Sequence, residues 1–257
     1  MGRIGWLFVG LLSVAAMGAP PLQADAEAAE APSAAEILTK VDANMVADTR
    51  SNAVKMTQIK NGRPREFEMQ VYSHGNSQSS IETLAPVRDK GTRYLRMGDE
   101  MWTYLPTVDK VSKVSGHMLR QGLQGTDVSY EDMMSSTKLK EQYTSKVLGT
   151  EDFAGHPCYK LEMTANDPTI AYPKRIAWID SVTFIPLKQE MYAVSGLLLK
   201  TWEMSDVQEF GGRMYPTKMV VSDKVQEGTS TTLVLSNLQF GVDIDASTFT
   251  TGWLERK

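Results

Sequence analysis

Short stretches in which apolar and polar residues alternate recur along most of the chain, with turn residues between them. Two clear examples are EFEMQV at residues 66–71 and YKLEM at residues 159–163. Successive side chains of a β-strand point to opposite faces, so a period of two predicts strands with one buried face. The turn signals include Asn61-Gly62, which is typical of a two-residue hairpin. Since short hairpins join antiparallel neighbours, we predict an antiparallel sheet of about ten or eleven strands.

One segment near the N-terminus has a helical pattern instead. Ser33 and Glu36 form the S-x-x-E pattern of a capping box, which marks a helix start. Apolar residues then recur every four positions, which gives the helix one apolar face: Ile37, Val41 and Met45. We predict a helix over about residues 33–47.

A second segment, residues 115–134, combines glycines with an unusual number of apolar residues. Gly116, Gly122 and Gly125 indicate loops and turns. Loops normally expose few large apolar side chains, yet this one contains Met118, Leu119, Leu123, Val128, Met133 and Met134. Asp127 or Ser129 can cap a short helix with Glu131 and Asp132 in its first turn. We therefore predict helix within about residues 117–139 and a break in the sheet there.

The first residues are typical of an export signal. An apolar stretch at residues 4–17 precedes an A-x-A pattern at residues 24–26. This predicts a signal peptide over residues 1–26, a disordered Ala/Glu-rich spacer over residues 27–32 and one domain over residues 33–257. The alternative is an uncleaved anchor, which the shortness of the apolar stretch disfavours, because a membrane span needs about 20 residues.

Composition excludes several classes of protein. Cys158 is the single cysteine, so neither an internal disulfide nor a lipidated cysteine after the signal is available. The net charge of −4 and the scattered basic residues do not indicate binding to nucleic acid or to anionic lipid surfaces.

Four stretches, in this order along the chain, resemble the LolA-like family of periplasmic lipoprotein carriers, in its outer membrane lipoprotein-sorting branch. They are LAPVRDKGTRYL (residues 84–95), GDEMWTYLP (residues 98–106), YPTKMVVSDKVQEGTSTTLVL (residues 215–235) and DIDASTF (residues 243–249). The resemblance implies a mostly β fold with some α (α+β). In that fold a single, strongly curved antiparallel half-barrel sheet is covered by an N-terminal helix and a helical lid, over an apolar cavity for acyl chains.

The resemblance also implies the function and the partners. The expected protein is a soluble, monomeric periplasmic carrier that takes lipoprotein acyl chains or other lipids to the outer membrane. It would receive cargo from an inner-membrane transporter and deliver it to an outer-membrane acceptor, without a cofactor. An envelope-stress sensor or regulator that binds mislocalised lipid with the same fold is the alternative.

The physical demands of an acyl chain agree with this interpretation. Such a chain offers no hydrogen bonds, so its site must be dry and adaptable, and methionine and aromatic side chains suit such walls. We interpret residues 115–134 as the lid, with glycine hinges that let it open. The predicted ligand-binding residues are Met118, Leu119, Leu123, Met133 and Met134 in the lid and Trp102, Tyr104, Trp178 and Trp202 in the sheet. Alternation places Trp102 and Tyr104 on one face, without indicating which face is concave.

The sequence contains no pattern typical of an enzyme or a metal site. Its three histidines, His74, His117 and His156, have no metal-binding spacing and no neighbouring catalytic motif. Cys158 lies in an alternating stretch and is predicted to be a structural strand residue. We predict neither catalytic nor metal-binding residues; an acyl-chain hydrolase, the remaining alternative, would need a reactive nucleophile.

Overall fold

The computed structural model describes residues 31–135 and 139–256. The predicted signal peptide and residues 27–30 of the predicted spacer lie outside the described residues. Within the described ranges, 13 strands form one antiparallel sheet that does not close into a barrel. The predicted fold class, an open antiparallel half-barrel with few helices, is confirmed.

The strands follow the chain closely. They are β1 (Thr49–Lys60), β2 (Arg63–His74), β3 (Gln78–Ala85), β4 (Arg93–Met97), β5 (Glu100–Leu105), β6 (Lys110–Val114), β7 (Tyr143–Phe153), β8 (His156–Ala165), β9 (Lys174–Asp180), β10 (Pro186–Tyr192), β11 (Leu198–Phe210), β12 (Arg213–Asp223) and β13 (Thr229–Phe240). Their number exceeds the predicted ten or eleven, because strands as short as β4 and β6 leave little room for an alternating pattern.

The order of the strands places two meanders side by side. One runs from β1 to β6, the other from β7 to β13, and β13 pairs with β1 in the middle of the sheet. Strands β6 and β7 are therefore the two edges. Residues 115–142 connect one edge to the other along the chain, and we call the described residues of this connection, 115–135 and 139–142, the insert.

Local sequence accounts for the strands and their turns. Asn61 and Gly62 both have positive φ angles, 53° and 73°, as the two-residue turn between β1 and β2 requires. In β2 the alternating residues Phe67, Met69 and Val71 are buried, as the pattern predicted. These residues face the insert side of the sheet and form a core cluster with Leu123 of the insert.

The first helix, α1 (Ala34–Met45), forms as predicted. Ser33 accepts a hydrogen bond from the Glu36 backbone N–H, and the Glu36 carboxylate accepts one from the Ser33 backbone N–H at 2.8 Å, so the capping box is present. The buried face of α1, which includes Ile37 and Val41, packs on Leu161 and other buried residues of β8 and β9. This contact covers one half of the concave face.

The insert covers the other half of that face. It contains two 3-10 turns (Gly116–Arg120 and Leu123–Gly125) and two short helices, α2 (Tyr130–Ser135) and α3 (Leu139–Gln142). A further helical segment, which was not predicted from the sequence, lies at the C-terminus. There a 3-10 turn (Ala246–Phe249) precedes α4 (Thr251–Leu254).

Helix α4 packs on the outer face of the sheet. Trp253 and Leu254 form a buried cluster with Leu95 of β4, and Trp102 and Tyr104 of β5 pack against it. The outer face of the β4–β6 edge is thus a second apolar layer, separate from the concave core. No helix within the described ranges is long and apolar enough to cross a membrane.

Candidate ligand-binding cavity

A cavity of about 270 Å³ lies between the concave face of the sheet, α1 and the insert. Its apolar lining comes from strands on both sides of the β1–β13 junction, for example Val71 and Ile81 on one side and Leu233 on the other. Val41 of α1 and Val128 of the insert close it from above. The volume is close to the lower end of ligand pockets in proteins, which is about 300 Å³.

Methionine is prominent in this lining. Among the described residues, five methionines line the cavity, namely Met45, Met133, Met191, Met204 and Met219. The unbranched, polarisable methionine side chain adapts to irregular apolar shapes. The lining therefore suits a flexible apolar group better than a rigid one with fixed polar contacts.

The insert is tied to the sheet by a buried ion pair. Asp132 of α2 binds Lys200 of β11, and the two side chains are 3% and 10% exposed. The Tyr172 hydroxyl also donates to Asp132, at 2.8 Å. Burial, followed by the Asp132 carboxylate, raises the pKa of Tyr172, so this phenol stays protonated and donates. Ser129 and Asp132 cap α2 reciprocally, which confirms Ser129 as the helix cap.

Further polar contacts hold the insert at β1, β4 and β13. The Gln58 side chain donates to the Gly125 carbonyl at 2.7 Å, and Arg96 donates to the Met133 carbonyl at 3.3 Å. The buried Asp127 carboxylate accepts hydrogen bonds from the hydroxyls of Thr229 and Thr231. The insert is therefore a well-anchored part of the core in this state, rather than a loosely packed flap.

One glycine of the insert has a packing role that differs from the expected hinge. A Cβ atom at Gly122 would lie 1.8 Å from the carbonyl oxygen of Thr126, so only glycine fits this turn. The turn is closed by the Leu123 N–H, which donates to the Val128 carbonyl at 2.7 Å. At this position glycine permits a tight conformation and gives no sign of loosening the segment.

The structure brings only some of the predicted site residues to the cavity. Met133 and Trp202 line it. The other predicted lid residues, Met118, Leu119, Leu123 and Met134, pack in the core cluster that also contains the lining residues Val54, Val71 and Ile81. They lie next to the cavity without lining it.

The remaining predicted residues lie on the outer face. Trp102 and Tyr104 pack under α4, as described above. Trp178 of β9 belongs to a cluster with Cys158 and Leu187, whereas its neighbour Ala177 belongs to the cluster with α1. The Trp178 ring is contacted by two lysine ammonium groups, those of Lys160 at 4.8 Å and Lys188 at 4.4 Å from the centroid.

Sequence reasoning missed the polar residues of the cavity. Arg50, Asn52, Arg96 and Gln189 line it, beside apolar lining residues such as Val54 and Met191. The Arg50 guanidinium donates to the Tyr215 hydroxyl and lies 5.5 Å from the centroid of its ring. The available signal was the alternation itself, since Arg50 and Asn52 share a strand face with Val54.

A cysteine, a histidine and an aspartate meet on the outer face, but they do not form an activated nucleophile. His156 Nδ1 lies 2.8 Å from the Asp180 carboxylate. The Cys158 thiol is fully buried and donates to the His156 carbonyl oxygen at 3.3 Å, not to its ring. Burial raises the pKa of the Cys158 thiol to about 11, which keeps it in the unreactive form at neutral pH.

Three solved structures, each from a different organism, are similar to this one over most of the chain. A DUF1329 family protein from Desulfovibrio piger is 25% identical, with a TM-score of 0.80 over 86% of this chain and 97% of that chain. A structure from Vibrio parahaemolyticus, described as an outer membrane lipoprotein-sorting protein domain, is 25% identical, with a TM-score of 0.79 over 86% and 98%. A LolA superfamily protein from Nitrosomonas europaea is 27% identical, with a TM-score of 0.74 over 87% and 100%.

A family model, described as that of an uncharacterized protein, matches residues 75–256, which is more than half of the chain. The chain belongs to this LolA-like family. All four stretches that carry the sequence resemblance lie within the matched range, so the predicted family is confirmed. Among curated proteins, none matches this LolA-like chain.

Proposed function

We propose that this LolA-like protein is a soluble, monomeric periplasmic carrier that binds acyl chains of lipoproteins or other lipids in its cavity. The observation that carries the proposal is the methionine-rich apolar cavity beneath an insert that joins the two edges of the sheet. A ligand in this cavity is enclosed when the insert is in place and released when the insert lifts.

Burial of methylene groups supplies enough free energy for useful affinity. Each buried CH₂ contributes about 0.8 kcal/mol, so roughly ten methylenes contribute about 8 kcal/mol. That value corresponds to a dissociation constant near 1 μM when further contacts of the ligand offset the ordering costs. Binding in the micromolar range lets a carrier both hold and release its cargo.

Entry and release require the insert to leave the sheet. Besides the apolar packing of Leu123, its polar anchors are the pair of Asp132 and Lys200, the hydrogen bond from Gln58 and the contacts of Asp127. Polar groups that lose these partners on opening regain hydrogen bonds from water, which limits the cost of opening. These polar anchors therefore allow the insert to open and close over the apolar cavity.

The relatives support the direction of transport. One similar structure is described as an outer membrane lipoprotein-sorting protein domain. With the predicted signal peptide, this supports a periplasmic route from an inner-membrane transporter to an outer-membrane acceptor. A regulator that senses lipid would use the same cavity and would differ in its partner alone.

The proposal is tested by lipid binding to purified protein. We expect lipid to co-purify from a periplasmic extract and to be identified by mass spectrometry, and a fluorescent acyl probe to bind in the micromolar range. In Met219→Trp the larger side chain should fill part of the cavity and weaken binding of the probe. Val220→Trp, on the other face of the same strand, is the matched control and should leave it unchanged. Absence of lipid and probe binding in the wild type would refute the proposal.

Transfer and labelling assays separate carrier from regulator and hydrolase. A carrier delivers bound lipid to acceptor vesicles or to an acceptor protein. A regulator retains the lipid and binds a signalling protein in its presence. Covalent labelling by a serine-directed probe would support a hydrolase and contradict the proposal.

A further inference from the structure

Four polar residues lie side by side across neighbouring strands in the cavity wall. The sheet register places Arg50 opposite Ser73, Ser73 opposite Ser79 and Ser79 opposite Arg96. Residues directly opposite one another on neighbouring strands point to the same face and lie about 5 Å apart. All four line the cavity, and we call them the polar row.

The cavity lining includes apolar side chains immediately beside the polar row, together with Asn52. Asn52, Val71, Ile81 and Tyr94 form the next row on the same face, by the same strand pairing. Val54 follows Asn52 along β1 and also lines the cavity. The cavity therefore has a cationic, hydroxyl-rich row beside apolar positions, which matches an amphiphile better than a plain hydrocarbon. Arg175, a further cation of the lining, donates to the Tyr143 hydroxyl at 2.9 Å.

Arg50 is the charged group of the row that has spare bonding capacity. Its Nη1 donates to the Tyr215 hydroxyl, while its Nε is buried without a hydrogen-bond partner. In the described part of the chain no carboxylate forms an ion pair with Arg50. A partly buried cation without an anion is unfavourable, so an anionic ligand group would be stabilised there.

The carboxylates of the cavity do not supply that anion. Asp132 lines it but is paired with Lys200. Asp42 lines it from α1, and its charged neighbours are Lys140 and Glu141. Arg96 donates to the carbonyls of Gly98 and Met133, so it fixes the insert and adds positive charge at the far end of the row.

We propose that the polar row binds the anionic group, a carboxylate or a phosphate, of an acylated amphiphile whose chain lies in the apolar part of the cavity. The inference rests on the proposed lipid-binding function and specifies its ligand. Arginine presents a planar fork of donors to such oxygens, and the hydroxyls of Ser73 and Ser79 add two donors between the arginines.

The test compares ligands that share a chain and differ in the head group. A fatty acid, the fatty alcohol of equal length and a monoacyl phosphate compete for the cavity against a fluorescent acyl probe. We expect the acid or the phosphate to bind at least about tenfold more tightly than the alcohol, the size expected for a hydrogen bond to a charged group. A preference for the carboxylate indicates a free fatty acid, and a preference for the phosphate indicates a phospholipid.

Arg50→Gln should remove this preference and leave the alcohol unaffected. Arg63→Gln is the matched control, because Arg63 is exposed at the β1–β2 turn and the change in net charge is the same. Equal affinities of acid, phosphate and alcohol in the wild type would refute the inference while leaving the proposed function intact. Equal losses for all three ligands in Arg50→Gln would also refute it, since they indicate a structural role.

A measurement on the unmodified protein covers the case in which Arg50→Gln does not fold. Raising the salt concentration should weaken binding of the charged ligand and leave binding of the alcohol unchanged, because salt screens the interaction of opposite charges. The same salt dependence for both would overturn the inference. Failure of every ligand to bind would instead refute the proposed function itself.

Discussion

Removing the charge of Asp132 should destabilise the protein strongly, because it leaves Lys200 as a buried, unpaired cation. In the structure the two side chains are 3% and 10% exposed, so neither end of the pair is screened by water. Breaking a buried pair by removing one partner costs about 3–5 kcal/mol. For Asp132→Asn we expect a loss of about 3 kcal/mol, the lower end, because the amide keeps the shape and some of the hydrogen bonds.

The assay is denaturant unfolding followed by circular dichroism, with a matched exposed pair as control. Glu100 and Lys113 are about half exposed, at 52% and 51%, so Glu100→Gln should cost less than about 1 kcal/mol. The double variant Asp132→Asn/Lys200→Met should recover most of the lost stability, since no buried charge remains. A loss below 1 kcal/mol for Asp132→Asn would mean that the pair is not buried in solution. A double variant as unstable as the single one would show that hydrogen bonds, not charge, hold the insert.

Three further changes test other parts of the insert and cavity. Gly122→Ala should loosen the insert, because the added Cβ would lie 1.8 Å from the Thr126 carbonyl oxygen. We expect faster amide hydrogen exchange confined to the insert. Unchanged exchange would contradict this expectation. Met133→Asp should weaken binding of the acyl probe more than Met134→Asp does. Of the two residues only Met133 lines the cavity, so the closed insert would bury the new charge there. Equal effects would argue against the cavity as the binding site. Asp42→Asn should stabilise the protein at neutral pH, because burial raises the pKa of the Asp42 carboxyl above 3.8 and the wild type therefore loses stability as the pH rises above 3.8. The gain in stability should vanish below pH 3.8. Thermal melts that show the same gain below pH 3.8 and at neutral pH would refute the raised pKa.

Local sequence determined the strands, the first helix and part of the strand register. A two-residue turn at Asn61-Gly62 places Lys60 opposite Arg63 and, by counting back along both strands, Arg50 opposite Ser73. The capping boxes at Ser33 and Ser129 are equally local, since cap and partner lie three residues apart. These features depend on neighbours in the chain, so the sequence contains the information they need.

The composition of the cavity depended on contacts that the sequence does not place next to one another. Ser79 is opposite Arg96 because a seven-residue connection (86–92) between β3 and β4 happens to keep that register. Loops of this length do not define a pairing in the way that a two-residue turn does. The alternating pattern of each strand could therefore not predict that the four residues of the polar row are neighbours.

The tertiary structure alone decided which face of each strand is concave. Alternation showed that Trp102 and Tyr104 share a face of β5, and Trp178 shares a face of β9 with Ile176. Both faces of these strands are apolar, however. The choice was made by segments far away in the chain: α4 covers the outer face of β5, while α1 and the insert cover the inner face. The alternation of side chains along a strand determines which residues share a face. The packing of elements that are remote in the sequence determines what that face contacts.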